Sequence, residues 1–106
     1  MPKFLIKASY SAEGARGLLK EGGTARRDSI TKLVEGLGGK VEAFYYAFGD
    51  DDVYSITDLP DSTAGLALTL AVNASGAVRL TTVPLISAEE IDAASKTGVN
   101  YRAPGA

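Results

Sequence analysis

Two clusters in the chain could do chemistry: three consecutive carboxylates, Asp50-Asp51-Asp52, and two consecutive guanidiniums, Arg26-Arg27. Carboxylates bind hard cations through oxygen. Calcium loops, however, stagger their acids at alternate positions and add a bidentate Glu, and neither feature is present. Adjacent acids in a tight turn satisfy backbone N–H groups instead, so no metal is expected here. Arg27 precedes Ile30 and Val34 by helical spacing, which aligns it with an apolar stripe. Such an arginine could clamp a carboxylate or phosphate with its fork. The competing reading lays the stems of the pair along apolar surface while the heads meet Glu21, Asp28 or water. Tyr10, Tyr45, Tyr46 and Tyr54 supply phenols that can hydrogen-bond a carbonyl or assist proton transfer, or can simply bury their rings beside a wet edge. Arg79, set between Val78 and Leu80, suits a cross-strand or intersubunit ion pair better than a ligand contact.

Much chemistry is excluded outright. The chain has no His, so Ser11, Ser29 and Ser75 have no partner for a triad, and the usual general base near neutral pH is missing. It has no Cys, which removes disulfides, thiolate nucleophiles and zinc–thiolate sites. The Gly-rich segments match neither phosphate-loop pattern. With 11 Lys and Arg against 13 Asp and Glu, the net charge of −2 offers no basic footprint for nucleic acid. The most apolar stretch, residues 65–72, falls far short of the ~20 residues that span a bilayer. Residues 1–7 alternate polar and apolar where a signal peptide needs an apolar run. These features predict a cytoplasmic protein that binds neither nucleic acid nor membrane and calls for no cofactor.

The elements that must position these groups follow from periodicity and punctuation. Residues 3–9 alternate as a first strand, with Phe4, Ile6 and Ala8 on one face. Ser11 can cap a weak helix to Leu19, in which Gly14 and Gly17 suggest close backbone approach. After Gly22-Gly23, Thr24 is expected to cap a second helix whose Ile30, Leu33, Val34 and Leu37 form one stripe, stopped by Gly38-Gly39. Residues 40–48 and 53–59 read as a hairpin around the acidic turn. Pro60-Asp61-Ser62 opens a helix through Ala74 that is apolar nearly all round and is expected to be largely buried. Residues 77–86 form a fourth strand, where Pro84 argues for an edge. Ser87 and Glu90 make a capping box for a last helix to about Lys96. One domain over residues 1–98 and a frayed tail over 99–106 complete the reading.

Two strand–helix–strand units of this length predict an α+β ferredoxin-like split βαβ sandwich, a four-stranded antiparallel sheet with helices on one face. Simple alternation places Val41, Ala43, Tyr45 and Ala47 on one face of the second strand and Glu42, Phe44, Tyr46 and Phe48 on the other. Both faces are then largely apolar, whereas a sheet wetted on one side alternates cleanly. A second copy of the chain is the expected cover, giving a homodimer or higher oligomer.

The run from Phe44 to Val53, with Leu59-Pro60-Asp61, residues 74–79 and residues 18–23, resembles the GYD-domain family over about residues 3–96. Asp51 stands where the family's turn carries an aromatic. The resemblance implies a dimeric α/β barrel, a bacterial source and a small-molecule site between sheet and helices in each protomer. Tyr10, Arg27, Tyr46 and Tyr54 would line that site, with a small anionic or aromatic ligand and no cofactor. Should catalysis occur there, tyrosine and carboxylate would handle the protons. The alternative is a noncatalytic oligomeric scaffold whose aromatics serve packing.

Overall fold

The computed structural model describes residues 1–106. Its elements run β1 (Lys3–Tyr10), α1 (Ala12–Glu21), α2 (Gly23–Gly36), β2 (Lys40–Tyr46), β3 (Val53–Asp58), α3 (Ser62–Ala74), β4 (Val78–Leu85) and α4 (Ala88–Ser95). The strands form one antiparallel sheet in the order β2-β3-β1-β4. This is the ferredoxin-like arrangement expected from the two βαβ units. Pro84, which has no N–H to donate, lies on β4 at the sheet edge.

Local chemistry sets most boundaries. The Ser11 hydroxyl accepts from Gly14 N–H, Asp61 accepts from Ala64 N–H, and Ser87 and Glu90 satisfy each other's backbone as a capping box. Thr24 is not a cap. Gly22 N–H donates to Leu18 C=O to close α1, while Gly22 C=O accepts from Arg26 N–H to open α2. Gly22 can serve both helices because its φ of +91° turns the chain within one residue, a conformation open to glycine. Gly14 does mark a close approach, since a Cβ there would meet the Ala77 carbonyl. Gly17 faces open space and does not.

The core lies between the sheet and one helical layer. Phe4 and Ile6 of β1 pack with Val34 of α2, Leu68 of α3 and the fully buried Leu59. The expectation that α3 is largely buried is overturned: only Gly65 and Leu68 are buried, and Leu66 and Leu70 are 59% and 61% exposed. A two-layer sandwich covers one stripe of a helix, and no third layer exists within the protomer to cover the other.

The phase of β2 also differs from simple alternation. A bulge between Val41 and Ala43 interrupts its pairing with β3, so Val41, Phe44 and Tyr46 lie opposite Thr57, Ser55 and Val53 and share the helix-covered face. The open face carries a row of directly paired apolar residues, Ala43, Ile56, Leu5 and Val83, across all four strands. Beside it Tyr45 pairs with Tyr54, and Lys3 bridges Asp58 at 2.8 Å and Glu42 at 2.6 Å. Helix α4 and residues 96–106 are exposed throughout. The radius of gyration is 17.0 Å, against the ~13 Å of a compact chain of this length, and the long axis is 57 Å.

Candidate functional site

A cavity of about 40 Å³ lies between the sheet and the helices. Its floor is the covered sheet face, where Ile6, Ala8 and Val53 surround the hydroxyls of Ser55 and Thr57. Ile30 and Val34 of α2 and Leu68 and Val72 of α3 form the roof. Apart from Tyr10, Arg26, Ser55 and Thr57, every lining residue is apolar. Tyr10, Arg26 and Val78 also line a surface cleft of about 360 Å³ beneath α1, so these three stand at the mouth between cavity and cleft.

The floor hydroxyls are satisfied in a directed chain. Ser55 Oγ donates to Ala43 C=O at 2.7 Å, so its own oxygen can only accept. Thr57 Oγ1, 3.1 Å away and 1% exposed, therefore donates to Ser55. Neither hydroxyl has a hydrogen left for a ligand.

The acidic turn holds the mouth in place. Tyr10 N–H donates to Asp52 Oδ2 at 2.8 Å, and Ser9 Oγ donates to Asp51 Oδ1 at 3.0 Å. Asp52 N–H also donates to Ala8 C=O at 2.8 Å. The turn thus fixes the last residues of β1, including the tyrosine that faces the cavity.

Of the four residues expected to line one site, only Tyr10 borders this cavity. Tyr54 lies on the open face opposite Tyr45, because neighbouring residues of a strand point to opposite sides. Arg27 is exposed and pairs with Asp28 at 3.3 Å. It shares a shallow outer groove with Tyr45 and Tyr46 at the β2 edge. Arg26, not Arg27, reaches the cavity. At 100° per residue Arg26 sits about 30° and Arg27 about 70° from the centre of the Ile30–Leu33–Val34–Leu37 stripe, on opposite sides. Spacing from the whole stripe therefore favours Arg26, although Ile30 and Val34 alone point to Arg27, and over the sheet Arg26 turns inward toward Tyr10 and Arg27 outward past β2. Arg26 is half-buried and has no carboxylate within ion-pair distance.

Tyr46 links the two regions. Its hydroxyl donates to Gly23 C=O at 2.9 Å, and its ring meets Phe44 edge-on at 5.2 Å. Burial raises its pKa above the ordinary tyrosine value, the nearby Tyr10 phenol adds to the rise, and Arg26 opposes it. At neutral pH Tyr46 is therefore a hydrogen-bond donor and not a base.

A scan against family models matches a GYD domain over residues 4–95. The chain belongs to the GYD-domain family. Searches of curated proteins and of solved structures gave no match. In this GYD domain the cavity elements all fall within the matched span, and no helix is long and apolar enough to cross a membrane.

A pH dependence follows for this GYD domain. Lys3, held protonated mainly by hydrogen bonds to Asp58 and then Glu42, also has a raised pKa. For Lys3 and Tyr46 alike the folded state prefers the protonated form. Their stabilisation is thus complete below the ordinary values and is lost as pH rises through the raised ones. Denaturant midpoints should stay level through neutral pH and fall above about pH 10. Tyr46→Phe should remove the tyrosine's part of that fall, read beside the phenolate absorbance of the folded protein.

Proposed function

We propose that this GYD domain is an oligomeric small-molecule-binding protein whose ligand enters the cavity between the sheet and helices α2 and α3. The observation that carries this reading is an interior apolar cavity that opens at Tyr10 and Arg26 onto a cleft of about 360 Å³. Small-molecule sites are concave and mostly apolar, with a few polar groups that fix orientation. The only titratable residues lining the cavity are Tyr10 and Arg26, an arrangement better suited to holding a ligand than to moving protons. The oligomer would form through the open sheet face, whose central row of Ala43, Ile56, Leu5 and Val83 has no cover in the protomer. Helix α4 supports the same reading. It has eight residues, too few to persist alone in water, and it packs at most sparsely on the other helices and strands of its own protomer.

The binding reading is tested by filling the cavity. A thermal-shift screen of small carboxylate, alcohol and aromatic metabolites should return compounds that raise the midpoint of the wild-type protein. Ala8→Val places two methyl groups on the cavity floor. It should leave the unliganded midpoint unchanged or slightly higher and abolish the shifts. Shifts that persist in Ala8→Val, or a screen in which nothing binds, would favour the noncatalytic scaffold reading.

A further inference from the structure

We propose that the ligand is a short aliphatic carboxylate, held with its chain in the cavity and its carboxylate on Arg26 at the mouth. The proposal rests on the binding reading above and adds the chemical class and the orientation. Size sets the chain. An apolar cavity that takes a benzene ring measures about 150 Å³, and about 10–15 Å³ suffices for one water. The space here is about 40 Å³, enough for a few carbon atoms and too little for a buried ring.

Charge sets the head group. Arg26 is half-buried beside an apolar cavity, and its guanidinium has no ion-pair partner. A guanidinium presents a fork that matches a carboxylate, and the match strengthens away from bulk water. Glu13 and Glu21 line the outer cleft, so an anion gains nothing by stopping there and is favoured only where it reaches Arg26. The Tyr10 phenol, at the same mouth, supplies a further donor.

The hydrogen-bond chain on the floor sets the direction. Ser55 donates to Ala43 C=O and Thr57 donates to Ser55, so the floor offers lone pairs and no free hydrogen. A carboxylate on the floor would find no donor and would lose its hydration. The ligand must therefore enter chain first.

The test compares isovalerate with isovaleramide, its neutral counterpart of nearly equal shape, by calorimetric titration of the wild type and of Arg26→Met, Arg26→Lys and Arg27→Met. Isovalerate should bind at least 10-fold more tightly than the amide. Arg26→Met should weaken isovalerate by about 10- to 100-fold, as expected for charged hydrogen bonds, and leave the amide unchanged. Arg26→Lys should recover part of the loss, and Arg27→Met should match the wild type. If Arg26→Met does not fold, Arg26→Gln gives the same comparison. Equal affinity for acid and amide, or isovalerate binding indifferent to Arg26, would overturn the proposal. Failure of isovalerate while other screened compounds still give shifts abolished by Ala8→Val would reject the carboxylate class and leave the binding reading standing. Absence of any binding would reject both.

Discussion

Leu59→Ala should cost about 2–5 kcal/mol of folding stability, a large fraction of the ~5–15 kcal/mol that holds a small domain together. Leu59 has no exposed surface and packs with Phe4, Val34 and Leu68 where sheet, α2 and α3 meet. Truncation removes its transfer free energy and leaves a void that the surrounding core closes only in part. Leu66→Ala is the matched control. Leu66 lies on α3 a short distance along the chain but is 59% exposed, so the same chemical change should cost no more than about 0.5 kcal/mol. Chemical denaturation of both variants checks the pair. Similar losses at the two positions would mean that α3 is covered on its outer side, and the two-layer description would have to change.

Ile56→Asp, alone or with Leu5→Asp, should convert the proposed sheet-to-sheet oligomer to monomers. The two residues are direct cross-strand partners at the centre of the open face, between Ala43 and Val83. Packed against a second sheet, either carboxylate would be buried with no cation within its own row, at a cost of several kcal/mol. Because each 1.4 kcal/mol is a factor of ten, dissociation should strengthen roughly 100-fold or more. Sedimentation at micromolar concentration reads the change directly. The folded protomer should survive, since Ile56 faces away from the Phe4–Leu59 core. A wild-type protein that sediments as a monomer would remove the sheet-to-sheet assembly. A variant that remains oligomeric would place the interface elsewhere, with α4 as the next surface to alter.

The features legible in the sequence are those set by residues close together in the chain. Ser11, Asp61 and the Ser87–Glu90 pair mark three helix starts because a side-chain oxygen reaches an N–H two or three residues on. The acidic turn declares the hairpin, Pro84 declares an edge strand, and the strand–helix–strand order then leaves few topologies. What tertiary structure decided are questions to which local pattern gives equal or misleading answers. The helix of residues 62–74 is apolar nearly all round, so its composition does not single out the stripe that meets the sheet; a single helical layer buries Leu68 and leaves Leu66 and Leu70 outside. Alternation along β2 carries no mark of the bulge that moves Phe44 and Tyr46 onto the same face as Val41. Ser55 and Thr57 alternate with Tyr54 and Ile56 as a solvent-facing pair would, and only the helices above them turn that face into a cavity floor. The two arginines make the limit clearest. Arg26 lies nearer than Arg27 to the centre of the four-residue stripe, but only where α2 lies over the sheet decides that either one meets a cavity. That placement depends on packing of Val34 against Phe4 and Ile6 of β1, against Leu59 and against Leu68 of α3, residues far away in the chain, which no local spacing encodes.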